Sequence, residues 1–180
     1  MKKFTLTSLV LAGVFVLSGC VDVTFSEPMP LNRRDRPFFP KNSQGVWYEK
    51  SANDNLSDSI AIYSEFIDLG EKPLILNKNT TLRKFNGYFV FSTCEDDENG
   101  RWHVYLAKLS NSVLSLYEFD GGDEEKVTIW EEVLLGDAVE KLKRDDSEKL
   151  KEIRLSPSSN HEFRELINKG GLSHMGDYVR

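Results

Sequence analysis

Downstream of residue 45, apolar and polar residues alternate in short runs that are separated by turn-forming residues. Alternation with a period of two over four to eight residues is typical of a half-buried β-strand. About nine such runs succeed one another, and they cover residues 46–49, 59–63, 66–69, 74–76, 81–85, 88–93, 101–109, 113–119 and 126–133. Because consecutive strands at this spacing pair through short turns, the pattern predicts an antiparallel meander.

Four turns separate the later runs. The clearest is Asn86-Gly87, because both residues tolerate the positive φ angles of a two-residue type I′ turn. Asn99-Gly100 closes a longer acidic connection, and Ser110-Asn111-Ser112 and Asp120-Gly121-Gly122-Asp123 reverse the chain again. The last of these turns predicts a strand in the sequence KVTIWEEV that follows it.

Several of the predicted strands are apolar on both faces. Phe89 and Phe91 alternate with Tyr88 and Val90, so neither face of that strand is suited to water. A twisted sheet of this size tends to curl or close. We therefore predict a mainly β domain over residues 45–180, an antiparallel meander that forms a small barrel or a strongly curved sheet around one core.

Residues 134–155 fit two descriptions. Their apolar residues form a helical stripe that Asp146 interrupts, or two strands at 139–143 and 150–155 around a turn at 145–147. The hairpin is favoured because it continues the meander.

A C-terminal α-helix is predicted at residues 157–169. Ser156 is a suitable N-cap and Pro157 suits the first turn, while Gly170-Gly171 ends the helix. The helix presents an apolar face that packs on the sheet, and a short tail follows it.

The first twenty residues have a different character. Lys2 and Lys3 precede an apolar or small stretch at residues 9–19, which is shorter than the about 20 residues that cross a bilayer. A positive start, an apolar centre and small residues before a cleavage site describe a secretory signal peptide, residues 1–19. Leu17-Ser18-Gly19-Cys20 then resembles the bacterial lipobox, which implies that the Cys20 thiol receives a diacylglyceryl group with acyl chains such as palmitate.

Cleavage before Cys20 removes Lys2 and Lys3 and takes the formal net charge from −6 to −8. Two or more acyl chains give stable anchoring where one chain does not. We therefore predict a cell-envelope protein that is attached to a membrane through Cys20. Val21 follows the anchor where enterobacterial lipoproteins retained in the inner membrane carry Asp, so this resemblance favours the outer membrane, on its periplasmic or its surface side.

Residues 20–44 contain four of the six prolines and are predicted to form a semi-rigid tether. Arg33, Arg34 and Arg36 are suited to touching anionic head groups beside the anchor. Phe38-Phe39-Pro40 is expected to lie against the domain, because two adjacent aromatic residues seldom stay free in water.

No catalytic, cofactor or metal site is predicted. Cys94 is the one thiol left after lipidation, and a zinc site needs three or four converging ligands, whereas His103, His161 and His174 are dispersed. The acidic turns at 95–98 and 120–125 lack the ligand spacing of a calcium loop. The sequence contains no Gly-x-Ser-x-Gly elbow, phosphate loop, His-Glu-x-x-His pair or dinucleotide fingerprint, and the negative charge argues against nucleic-acid binding.

Two resemblances add to this picture. The lipobox, the Pro-rich segment, QGVWY at 44–48 and SPSSNHEFRELINKGG at 156–171 together resemble small uncharacterised lipoproteins of Bacteroidota. Gly45-Val46-Trp47 resembles the Gly-x-Trp that opens lipocalin-type barrels, which implies a cavity. Alternatively, Trp47 closes one end of a filled core.

Three functions follow as hypotheses. The first is a non-enzymatic envelope lipoprotein that binds a small apolar ligand or a partner protein through its β-domain. The second is a structural or accessory subunit of an envelope protein complex. The third is a hydrolase with unrecognised catalytic residues. An apolar pocket favours the first, an exposed apolar patch over a filled interior the second, and a buried acid or histidine in a cleft the third.

Overall fold

The computed structural model describes residues 21–50, 59–70, 73–94, 100–145 and 147–180. The strands are β1 (Asp22–Phe25), β2 (Gly45–Glu49), β3 (Ser59–Ile62), β4 (Phe66–Asp68), β5 (Leu74–Ile75), β6 (Thr80–Phe85), β7 (Tyr88–Thr93), β8 (His103–Ser110), β9 (Val113–Glu118), β10 (Val139–Lys143), β11 (Leu150–Leu155) and β12 (Ser173–Val179). The helices are α1 (Glu124–Val133) and α2 (Asn160–Asn168), and a short 3₁₀ turn covers Gly136–Ala138.

Nine strands form one antiparallel sheet in the order β5-β4-β3-β2-β12-β9-β8-β7-β6. The two edge strands, β5 and β6, are consecutive in the chain, and only residues 76–79 lie between them. The sheet therefore curls into a nearly closed barrel. This confirms the predicted mainly β meander with a C-terminal helix.

The predicted hairpin turns are present where the residues allow positive φ. Asn86 and Gly87 have φ angles of 48° and 85°, and Asn111 and Ser112 have 49° and 62°. Both positions of a type I′ turn need φ above zero, and asparagine and glycine accept this at little cost. The β6–β7 and β8–β9 registers follow directly from these turns.

The strand predicted for KVTIWEEV is wrong, because this segment is helix α1. The Asp123 side chain accepts hydrogen bonds from the amides of Glu125 and Lys126, which caps the first turn. Val127, Trp130 and Leu134 lie on one helical face and are buried. The β-branched residues of this segment suggested a strand, but the cap and the helical spacing prevail.

Residues 134–155 form the predicted hairpin. β10 and β11 pair antiparallel, but they do not continue the meander. They belong to a separate three-stranded sheet in which β1 pairs parallel with β11. This small sheet covers part of the outer surface of the barrel sheet.

The structure contradicts the predicted tether over the described residues 21–44. β1 lies within this segment, and Phe25 and Met29 are fully buried. The apolar side chains of the segment gain more from burial than an extended spacer would allow. The folded body therefore begins at Val21 and not at residue 45, whereas Phe39 does pack on the domain as expected.

The C-terminal region differs from the prediction in two details. Helix α2 is capped by Ser159, whose hydroxyl accepts a hydrogen bond from the Glu162 amide, and Ser156 and Pro157 precede the helix. The predicted tail is strand β12, which inserts between β9 and β2. Its sequence, SHMGDYV, carries few apolar residues, so the hydrophobic pattern did not predict a strand here.

Two hydrophobic cores lie on opposite faces of the large sheet. The inner core fills the barrel and is built from Phe39, Trp47, Ile60, Ile62, Leu82, Phe91 and Leu114. The outer core lies between β6–β9 and the layer of α1, α2 and the small sheet; its buried residues include Val23, Phe25, Met29, Phe85, Val90, Val104, Leu106, Phe119, Trp130, Ile153, Leu155, Phe163 and Leu166. Strands that separate two cores must be apolar on both faces, which explains the pattern of β7.

Candidate functional site: an exposed apolar sheet face

The largest group of exposed apolar side chains in the described chain lies on the outer surface of β2–β5. Its members are Val46, Tyr48, Tyr63, Phe66 and Ile75, which we call the exposed sheet face. Val46, Tyr48, Tyr63 and Ile75 are 44%, 43%, 47% and 52% exposed, and Phe66 is half-buried. Such large exposed fractions stand out on side chains that folding usually covers.

The register places these residues on one surface. Phe66 is paired with Ile75, and Val46 is paired with Ala61, so each pair points to the same side of the sheet. Their neighbours Trp47, Ile60 and Ile62 point to the inner core. The Tyr63 and Phe66 rings stack with centroids 4.3 Å apart and an interplanar angle of 16°. The face is therefore aromatic and partly preorganised.

Trp47 on β2 contacts Arg180, the residue that follows β12. Trp47 is fully buried, and its Nε1 donates to the Ser43 carbonyl at 2.8 Å. The Arg180 guanidinium lies 4.5 Å from the centre of the Trp47 ring and donates to the carbonyls of Gln44 and Asn42. The sequence singled out Trp47, but it carried no signal for Arg180, because a single terminal arginine belongs to no motif.

Residues 28–41, which we call the strap, lie along the gap between the sheet edges. The Arg36 amide donates to the Leu82 carbonyl at 2.7 Å on β6, and the Phe39 amide donates to the Ser64 carbonyl at 2.8 Å in the β3–β4 turn. Arg83 Nη1 donates to the carbonyls of Pro28 and Pro30. The strap thus links the edge strand β6 to the turn between β3 and β4.

Two cavities in the described part of the chain are shallow or small. One of about 490 Å³ is lined by the strap residues 34–41 alone. The other, of about 150 Å³, is lined by residues 21–23, 103–105 and 118–120. Within the inner core, partly buried side chains such as Phe89, Leu116 and Tyr178 pack against the buried ones.

Ser115, His174 and Asp177 form a cluster of the residue types that hydrolases use. The Ser115 hydroxyl donates to Asp177 Oδ1 at 2.6 Å, and His174 Nε2 lies 3.0 Å from the same oxygen. Hydrogen bonds from Ser115 and then from His174 lower the pKa of Asp177. A nucleophilic serine needs its hydrogen bond to the histidine, so the observed order does not match a catalytic triad.

Two other carboxyl groups have shifted pKa values. Burial, followed by the nearby charge of Asp120, raises the pKa of Glu118. Burial would also raise the pKa of Glu152, but hydrogen bonds from Thr24 and Arg154 and the charges of Arg154 and Arg101 lower it overall. Glu152 joins β11 to β1, since the Thr24 hydroxyl donates to it at 2.6 Å.

The residues considered for metal binding do not converge. Within the described ranges, no group of three histidine, cysteine or acidic residues has a geometry suited to a metal ion. Cys94 is half-buried, and His103 lies beside the smaller cavity. The turn at 120–123 has a structural role, because Asp123 caps α1 and Asp120 Oδ1 accepts from the Gly122 amide. Cys20 and the acidic residues 95–98 lie outside the described residues.

Comparisons with known proteins return no relatives: no family model matches the chain, and neither curated proteins nor solved structures include a match. Among the described residues, no helix has the length and apolar character needed to cross a bilayer.

Proposed function

We propose that this chain is a cell-envelope lipoprotein, anchored through Cys20, whose exposed sheet face binds a partner protein. The observation that carries the binding role is the set of four apolar side chains, on β2, on β5 and just after β3, that are 43–52% exposed on one outer surface of the sheet. Leaving so many apolar side chains in water is unfavourable, and a protein partner that covers them recovers that free energy.

The composition of the face suits a protein better than a small ligand. Tyrosine and phenylalanine are enriched at the centres of protein interfaces, where they provide large apolar area with few rotatable bonds. Small ligands prefer concave pockets, whereas this surface is the outer side of a sheet. The inner core, where a lipocalin-type ligand would lie, contains Trp47, Phe91 and Leu114 with exposed fractions of 8% or less.

The anchor is supported by the sequence of the first twenty residues. Lys2 and Lys3, the short apolar stretch and Leu17-Ser18-Gly19-Cys20 occur in the order that a lipoprotein signal requires. With Val21 behind the anchor, we place the protein at the outer membrane. In this role, the protein is a non-enzymatic accessory subunit of an envelope complex.

Site-specific photo-crosslinking in cells tests the binding role. A photoreactive phenylalanine analogue at Tyr48 or Tyr63 is expected to yield one crosslinked product of higher mass, and Tyr48→Asp should abolish the product formed from position 63. The same analogue at Lys84, which is exposed on β6, is the matched control and should yield no such product. Equal crosslinking from positions 48, 63 and 84 would contradict a specific interface.

The anchor has its own test. Cys20→Ser should move the protein from the membrane fraction to the soluble fraction, and mass spectrometry of the wild-type protein should find an acylated N-terminus at Cys20. A protein that stays with the membrane after this substitution would show that another feature holds it there.

A further inference from the structure

The chain next to the proposed anchor is already part of the folded body. Val21 packs against Gly121, since a Cβ built on Gly121 would lie 2.8 Å from both Val21 Cγ1 and the Val21 carbonyl oxygen. Strand β1 starts at Asp22, and Phe25 exchanges two backbone hydrogen bonds with Trp102 at 2.8 and 2.9 Å. The first described residues are therefore held in place from Val21 onward.

Because the chain is folded from Val21 onward, no spacer separates the proposed lipid anchor from the domain. Consecutive Cα atoms are about 3.8 Å apart, so the Cα atom of an acylated Cys20 would lie at this distance from the Cα atom of Val21. A flexible linker of 24 residues would instead let the domain sample many orientations at a distance. With the linker folded into β1 and the strap, one particular surface must lie nearest to the acyl chains.

That surface is built from three elements. Val21 and Asp22 come from the start of β1, Glu118 from the end of β9, and Asp120, Gly121 and Gly122 from the turn before α1. We call these six residues the N-terminal pole. Asp22, Asp120 and Gly122 are exposed, whereas Glu118 is half-buried.

We propose, resting on the proposed acylation of Cys20, that the N-terminal pole lies against the bilayer surface and orients the domain on it. The pole carries the carboxylates of Asp22, Glu118 and Asp120. His103 lines the small cavity beside it, and the Arg101 guanidinium donates to the hydroxyl and the carbonyl of Thr24, two residues after Asp22 on β1. Anionic head groups within a Debye length of about 8–10 Å repel carboxylates, whereas zwitterionic head groups such as phosphatidylethanolamine carry no net charge. The pole therefore fits a surface of zwitterionic head groups better than an anionic one.

Electron paramagnetic resonance on the full acylated protein tests this orientation. A spin label is attached at Glu124→Cys, beside the pole, or at Ser110→Cys, in a Cys94→Ser background. Ser110 is seven residues along β8 from His103, so it lies roughly 23 Å from the pole along the strand. The protein is reconstituted into vesicles of phosphatidylethanolamine and phosphatidylcholine that contain a small fraction of nickel-chelating lipid.

Nickel at the head groups should enhance spin relaxation several-fold more at position 124 than at position 110. A flexible insertion of about ten Gly and Ser residues between Cys20 and Val21 should bring the two labels to similar, weaker enhancement. Equal enhancement at both positions in the protein without the insertion would overturn the orientation.

Mass spectrometry of the same samples separates the two proposals. Acylated Cys20 with equal enhancement at the two labels contradicts only the orientation, and the anchor stands. An unmodified Cys20 overturns the anchor and, with it, the orientation that depends on it.

Discussion

The two halves of the large sheet share one strand pattern but differ in what covers them. On the outer surface of β6–β9, Val90, Val104 and Leu106 are buried beneath α1, α2 and the small sheet. On the outer surface of β2–β5, Val46 and Tyr48 are 44% and 43% exposed. Both halves carry apolar residues on both faces, so the strand pattern alone does not distinguish a covered face from an uncovered one.

The second apolar face of the strands therefore has a different environment in each half. In the covered half, the second apolar face holds the helices and the N-terminal segment to the barrel. In the uncovered half, we expect the second apolar face to contribute little to the stability of this chain, and the proposed function assigns it to binding. Substitutions in the two halves should therefore separate stability from binding.

The largest effect is expected in the outer core, at Phe163 on α2. Its ring lies 5.5 Å from that of Phe85 and 6.2 Å from that of Phe25, and the side chain is fully buried. Phe163→Ala should lower the free energy of unfolding by about 3–5 kcal/mol, because it removes buried area and leaves a cavity. Urea unfolding followed by circular dichroism measures this loss. A loss below about 1 kcal/mol would mean that the covering layer is not firmly packed on the sheet.

A smaller effect is expected at the turn that sets the register of β6 and β7. Gly87 has a φ of 85°, where a side chain with a Cβ is strained. Gly87→Val should lower the free energy of unfolding by about 1–2 kcal/mol, measured in the same way. Gly87→Asn is the matched control, since asparagine tolerates left-handed backbone and should cost less. Equal costs for the two variants would argue against the observed turn.

The junction between β1 and β11 should make stability depend on acid pH through Glu152. The pKa of Glu152 is lowered in the folded protein below its ordinary value of 4.5, so the ionised group stabilises the fold above that value. This contribution is lost as pH falls through the lowered folded pKa. Wild-type stability should therefore decline more steeply than that of Glu152→Gln when pH is reduced below about 4.5.

Unfolding midpoints in urea at several pH values measure this slope. Thr24→Val removes the hydrogen bond that the Thr24 hydroxyl donates to Glu152, and it should flatten the acid dependence in the same direction. Identical acid slopes for the wild type and Glu152→Gln would show that the carboxyl group does not contribute through its pKa.

The smallest effect on stability is expected in the uncovered half. Tyr48→Ser should change the free energy of unfolding by no more than about 0.5 kcal/mol, because the side chain is exposed. The same substitution should weaken the crosslink formed from position 63. A loss of about 2 kcal/mol or more would indicate that this chain itself covers the face in solution.

The residues of the candidate site could be predicted from the sequence only in part. Val46, Tyr48 and Tyr63 could be recognised as apolar members of predicted strands, but their exposure depends on which elements fold over the sheet. Arg180 was not predicted, because its contact with Trp47 joins positions from opposite ends of the domain. The N-terminal pole was missed for a similar reason, since the prolines suggested a spacer and the pairing of β1 with β11 is a long-range contact.

The features that the sequence determined by itself depend on interactions between residues that are close together in the chain. The Asn86-Gly87 turn and helix α2 depend on φ preferences, capping and spacing within a few residues, and both are present. Only the tertiary structure decided that Trp130 of α1 donates to the Gly171 carbonyl, that β12 joins β9 to β2, and that the described residues cover one half of the barrel and not the other. Burial sums contacts between residues far apart in the chain, so no window of neighbouring residues contains that information.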